Sequence, residues 1–240
     1  MLRFSSKNPK PLSPNQEMAL RAQRAAPKEV RRRQLIEATM EIIAERGVSG
    51  ATMAEVTHRA GLSIGTVNLH FGTKDNLLKS TLMYLAEEMQ GLWLKVHEDP
   101  ALTPAQKLWG IVDADFDPSI CSHTKIRVWY GFFGEVTYRN FYRETVEPYD
   151  NDNDQALQTW LIKMLRAQDP SQSSAVLEER AAALALSLAT LADGLWLSLM
   201  LYPNWISRET ARRQLWALLS LHFPHHYPAD QPPALEAVVG

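Results

Sequence analysis

Apolar residues return at every third or fourth position along almost the whole of this 240-residue chain. That interval lines side chains along one face of an α-helix. The two-residue alternation of a half-buried strand is missing, as are the Asn-Gly and Asp-Gly turns that close hairpins. The chain is therefore expected to be all-α. The single cysteine, Cys121, excludes an internal disulfide and a multi-cysteine zinc site, and fits a reducing compartment. No long apolar run follows the N-terminal positive charges, so no secretory signal is visible and a cytoplasmic protein is expected.

Charge and aromatic residues are divided unevenly. Residues 1–80 hold 13 Lys and Arg against 7 Asp and Glu, a net of +6, whereas residues 81–240 hold 12 against 20, a net of −8. All seven Trp and all seven Tyr lie beyond residue 80. A basic front suggests a polyanion as its partner, and an acidic, ring-rich back suggests a separate task.

Punctuation residues divide the chain further. Residues 1–26 read as a basic N-terminal arm, with Ser13-Pro14-Asn15-Gln16 resembling a helix start. A helix is predicted from about Pro27 to Arg46, stopped by Gly47, with Lys28, Arg31, Arg32 and Arg33 crowded into its first turns. Positive charge there opposes the helix dipole, and a nearby phosphate backbone would supply a reason for it. Thr52 and Glu55 form a capping-box pattern before a short helix that ends at Gly61. Ser63 caps another short helix to about His70, and a long helix follows from Lys74 to about His97. Further helices are predicted over about 104–117, 123–139, 141–167 with a disturbance at Pro148, 174–202 and 207–223. The Pro-rich residues 224–240 read as a loose tail.

Residues 52–71, TMAEVTHRAGLSIGTVNLHF, carry the functional pattern. Two short helices around a Gly turn, with Val56, Ala60, Leu62 and Val67 inward, form a helix-turn-helix. A helix that enters the major groove must be short, braced by a partner and free of bulk on its outer face. That face offers Ile64, Gly65, Thr66, Asn68, Leu69 and His70. Asn68 suits an adenine edge, Thr66 and Ile64 suit thymine methyls, and Ser63 suits a phosphate. A purely structural helical hairpin would share the pattern.

The segment from Arg32 to Leu78 resembles the DNA-binding domain of the TetR family of transcriptional regulators, through ERG, TMAEV, AGLSIGTV, HF and TKDNLL. The resemblance implies an all-α homodimer on a palindromic double-stranded operator. It implies a three-helix head at residues 27–73 and a larger ligand-binding and dimerisation domain at residues 74–223. Carried over by position, Ile64, Gly65, Thr66, Asn68 and Leu69 would read bases, and Thr52, Ser63, His70 and Lys74 would hold phosphates. Asn68 and Leu69 stand where the family usually has an aromatic pair, which suggests a different base preference. More loosely, IVDADFD, the Trp129–Phe133 cluster and ADGLWL resemble the choline-responsive BetI subgroup.

For the effector, Trp93, Trp109, Trp129, Tyr130, Phe133 and Trp160 are the candidate rings, and Asp113, one turn after Trp109, the candidate carboxylate. Rings beside a carboxylate suit a quaternary ammonium such as choline. A neutral apolar or acyl effector is the alternative, with the same rings as a plain wall or core. Residues 174–202 and 207–223 are expected to form the dimer seam rather than to enter a membrane. No metal site is expected, since Asp113, Asp115 and Asp117 cannot converge from one helix. No phosphate loop, nucleophile elbow or Cys/His pair is present, so neither an enzyme nor a cofactor is expected. A structural DNA-binding protein without a sensor would need basic charge over much of the chain, against the −8 of residues 81–240.

Overall fold

The computed structural model describes residues 28–232. The proposed N-terminal arm and its Ser13–Gln16 helix start lie outside the described residues. Ten α-helices and one 3-10 turn make up the described fold, with no strand among the described residues. The head consists of α1 (Lys28–Gly50), α2 (Met53–Ala60) and α3 (Ile64–Phe71). Helix α4 (Lys74–Glu98) leads into α5 (Pro104–Ala114), α6 (His123–Gly134), α7 (Arg139–Thr145), α8 (Glu147–Gln168), α9 (Ser174–Leu201) and α10 (Arg208–His222).

Periodicity and caps account for most of this. Leu35, Ile36, Ile42 and Ile43 of α1 are buried with Val56 of α2, Val67 of α3 and Leu77 and Leu78 of α4. They form the core of the head. The side chains of Thr52, Ser63, Thr73, Thr103, Ser122, Ser173 and Ser207 each accept a backbone N–H in the first turn of the helix they precede. Only the box at Thr103 and Gln106 is reciprocal in α5. At Thr52 the expected second half is absent: Glu55 pairs instead with Arg46 at 3.2 Å.

Four expectations are corrected. The first helix does not end at Arg46: Gly47 breaks it with φ 75°, and one further turn continues to Gly50. The helix predicted over 123–139 ends at Gly134, because Glu135 is extended and starts the 3-10 turn Val136–Tyr138. The 141–167 segment divides between Thr145 and Glu147, which puts Pro148 in the first turn of α8, where its missing N–H costs nothing. The tail is not loose as far as residue 232. Phe223 and Tyr227 are buried, Tyr227 donates its hydroxyl to the Ala105 carbonyl at 2.7 Å, and Trp216 donates to the Pro228 carbonyl at 2.9 Å.

In the body, α8 packs on α9 and α5, α4 on α5, and α10 on α9 and α5. Helix α6 spans the two regions, lying against α1 on one side and α9 on the other. Helix α9 is long and apolar enough to cross a membrane by length and composition. Nine of its residues are nevertheless buried inside the fold.

Candidate functional site

The head presents α3 outward. Arg59 of α2 grips Glu45 at 2.8 Å and Glu41 at 3.2 Å on α1, which fixes the first helix of the motif. Gly61, at φ 64°, makes the left-handed turn that a side chain would resist. Val67 and Phe71 then bury the inner side of α3. Ile64, Gly65, Asn68 and Leu69 stand exposed on its outer side, Leu69 at 74%. Thr66 is half-buried, and its hydroxyl meets that of Ser63 at 3.0 Å.

The four predicted phosphate residues differ in setting. Thr52 and Ser63 are exposed N-caps. Lys74 donates to the Ser49 carbonyl at 3.3 Å. His70 is half-buried, and its Nδ1 has no hydrogen-bond partner. Burial, with Lys28, Arg31 and Arg32 nearby, lowers its pKa and favours the neutral ring. The basic first turns of α1 thus lie beside the end of α3, and the Arg32 guanidinium sits 5.6 Å from the Phe71 ring centre.

The body holds a cavity of about 300 Å³ between α4, α6, α7, α8 and α9. Its rings are Trp129, Tyr130 and Phe133 from α6, Tyr142 from α7 and Trp196 from α9. Asp115, Asp150, Asp154 and Asp193 line it too, and no Lys, Arg or His does. Phe133 meets Tyr130 and Tyr142 edge to face, with centroids 5.8 and 5.4 Å away. Tyr130 donates to the Asp193 carbonyl at 2.8 Å, and Tyr142 to the Asp150 carboxylate at 2.5 Å.

Asp115 sits at the end of α5, where Trp196 donates to its backbone carbonyl at 2.9 Å. Its carboxylate has no hydrogen-bond or ion-pair partner among the described residues. Desolvation, then repulsion from Asp193, Asp150 and Asp113, pushes its pKa up to about 7. Desolvation also raises those of Asp150, Asp154 and Asp193.

Three of the predicted effector residues, Trp129, Tyr130 and Phe133, therefore come together at this cavity. The other four do not. Trp109 and Asp113 share a face of α5, as predicted, but α10 covers that face. Trp109 lies edge-on to Trp216, and Asp113 is paired with Arg212 in a buried two-point contact. Trp160 belongs to a separate cluster. Its indole donates to His97 at 3.1 Å, and its ring is occupied by the ammonium groups of Lys163, at 3.9 Å, and Lys107, at 4.6 Å. Trp93 is buried beside the same His97.

Asp115 was not among the predicted residues because it points away from Asp113, and only tertiary packing shows that the cavity lies on that opposite side. Asp117 is not on the helix at all; it caps a turn by accepting from the Ser119 N–H and hydroxyl. Asp150 and Asp154 follow Pro148 in the polar run Asp150-Asn151-Asp152-Asn153-Asp154, which by itself reads as a solvated stretch of helix. Trp196 and Asp193, inside the ADGLWL segment, were the legible part of what was missed.

A braced helix-turn-helix joined to a helical body with its own polar-lined cavity defines a DNA-binding regulator with a sensor domain. The profile for bacterial regulatory proteins of the tetR family matches residues 35–81, and that for the BetI-type transcriptional repressor C-terminal domain matches residues 104–224. The chain belongs to the TetR family of transcriptional regulators, with a BetI-type C-terminal domain. It is 33% identical over 184 residues to the HTH-type transcriptional regulator BetI of Stenotrophomonas maltophilia, covering 77% of this chain and 88% of that one. With the BetI of Escherichia coli it shares 29% over 203 residues, covering 84% and 96%. Among solved structures, a transcriptional regulator from Pseudomonas aeruginosa PAO1 superposes with TM-score 0.62 at 22% identity, covering 85% of this chain and 95% of that one. A regulator from Saccharomonospora viridis, solved in complex with choline, superposes with TM-score 0.60 at 21% identity, covering 81% and 95%.

Proposed function

We propose that this regulator is a homodimeric repressor that occupies a palindromic operator and releases it when a cationic amine, choline or a related quaternary ammonium, enters the body cavity. It would act in the cytoplasm, where the operator DNA lies. The observation that carries the effector reading is the cavity wall: five aromatic rings, an unpartnered Asp115 carboxylate and no basic side chain. A quaternary ammonium cannot donate conventional hydrogen bonds, so ring faces and carboxylates are its natural hosts. The choline complex of the Saccharomonospora viridis regulator, a protein of the same fold, is in keeping with this. An acyl or neutral apolar effector suits the wall less well, because it would leave the inner Asp115 carboxylate without a counter-charge.

For DNA, Ile64, Gly65, Thr66, Asn68 and Leu69 are the proposed base-reading residues. Thr52, Ser63, His70 and Lys74 are the proposed phosphate contacts, with the basic turns of α1 adding to them. Release would be a shift between two arrangements of the paired heads, driven by tighter effector binding to the one that does not fit adjacent major grooves.

Titration of choline into the protein–operator complex tests the proposal. Dissociation of the complex is expected, together with a calorimetric heat of binding in the free protein. Retention of the operator at millimolar choline, with no heat, would remove the quaternary-ammonium effector from consideration.

A further inference from the structure

The cavity carries more negative charge than one ammonium group can neutralise. Four carboxylates face it and no cation does. A single positive centre beside Asp115 would leave Asp150, Asp154 and Asp193 facing one another.

Their arrangement restricts what could answer that charge. No three acidic, His or Cys side chains among the described residues converge closely enough to hold a metal ion. The carboxylates come instead from three separate places: Asp115 at the end of α5, Asp150 and Asp154 on α8, and Asp193 on α9. Asp115 lies deeper, whereas the other three stand at the exposed rim. The charge is spread along the cavity rather than focused at a point, so a matching ligand must be extended and positive at more than one position.

A second observation concerns hydrogen bonding. The Oδ1 atom of Asn153, in the same wall, is buried and has no partner. A buried acceptor left unmade costs free energy until a donor arrives. A protonated primary or secondary amine brings N–H donors; a quaternary nitrogen brings none.

We infer that the cavity takes a linear diamine or polyamine, with one protonated nitrogen among the rings beside Asp115 and a second at Asp150, Asp154 and Asp193 near the Asn153 amide. Its methylene chain would cross the ring faces of Phe133 and Tyr142. This rests on the cavity being a cation-binding effector site; within that site it puts a protonated diamine or polyamine in place of the quaternary ammonium.

Calorimetry on the full-length protein with putrescine, butylamine and choline tests it. Putrescine is expected to bind on the order of tenfold tighter than butylamine, the gain of one further charged contact. Asp154→Asn and Asp193→Asn should each lower putrescine affinity several-fold more than butylamine affinity. Circular dichroism melting confirms that each variant is folded, and putrescine should also release operator from the unaltered protein but not from Asp154→Asn. Equal affinity for putrescine and butylamine would overturn the diamine assignment. Choline binding alone in that case would leave the quaternary-ammonium reading standing, whereas no heat from any of the three would end both.

Discussion

Asp115 is where proton binding and the proposed effector binding would meet. Its carboxyl is pushed from an ordinary 3.8 to about 7 by desolvation and by the carboxylates of Asp193, Asp150 and Asp113. The native state therefore holds a proton that the unfolded chain gives up. Between about pH 4 and pH 7 this residue makes the empty protein less stable as pH rises, and above that window its effect is constant. A bound cation favours the charged form, so binding below pH 7 must expel the proton. Effector affinity is expected to fall by up to about tenfold per pH unit below that point. Calorimetry in buffers of differing ionisation heat would show proton release, and Asp115→Asn should flatten the pH profile while weakening binding. A profile already flat between pH 6 and pH 8 in the unaltered protein would place the cation elsewhere.

At the scale of the element, α6 does two things with one short helix. Trp129, Tyr130 and Phe133 face the cavity, while Gly131 lies against α1 of the head. A Cβ at Gly131 would come 3.2 Å from Ile43 Cγ2 and 3.7 Å from Val48 Cγ2. The contact between sensor and head is thus too close to absorb a branched side chain without movement. Gly131→Val is expected to weaken operator binding by about 1–2 kcal/mol through overpacking at this seam. The heat and affinity of effector binding should stay near those of the unaltered protein, since the three rings point the other way. Fluorescence anisotropy on operator DNA and calorimetry with effector would read the two separately. No change in operator affinity would mean that the heads are set through α4 instead.

Elements were more legible in the sequence than their faces. The helical intervals, the Ser and Thr caps and the Gly61 turn fixed nearly every helix of the head, because each is decided within about one turn of chain. The ligand wall depended on which side of α5 meets α10. Periodicity rightly put Trp109 and Asp113 on one face, but it is Arg212 and Trp216, a hundred residues later, that cover it. Nothing within α5 distinguishes a face that meets a neighbouring helix from one that meets a cavity. The breaks at Gly134 and Thr145 were blurred for a similar reason, as both flanking segments keep helical spacing.

At the scale of the whole molecule, the described residues leave an apolar strip of the body uncovered. Leu186, Leu197 and Leu201 run along α9, and Leu221 on α10 and Trp205 in the connection between them are also exposed, Trp205 at 79% and Leu221 at 81%. Two such helices paired with their symmetry mates make a four-helix seam, and patches of this kind on a single chain mark an interface. Sedimentation at micromolar concentration is expected to show a dimer. Leu186→Arg combined with Leu221→Arg should give a folded monomer that no longer holds the palindromic operator. A monomer for the unaltered chain would refute the seam. The charge division bears on orientation: residues 81–240, at −8, are repelled by the duplex, and residues 1–80, at +6, are attracted to it.

The two-sided build of α6 also bears on how such a regulator could diversify. Because three of the rings that line the cavity stand at positions 129, 130 and 133, and the contact with the head at 131, the two sets occupy interleaved but separate letters of one helix. A lineage could exchange rings to meet a new metabolite while the same glycine keeps the wiring to DNA intact. Novel inputs would then arise by drift on one side of a helix, with the output inherited unchanged.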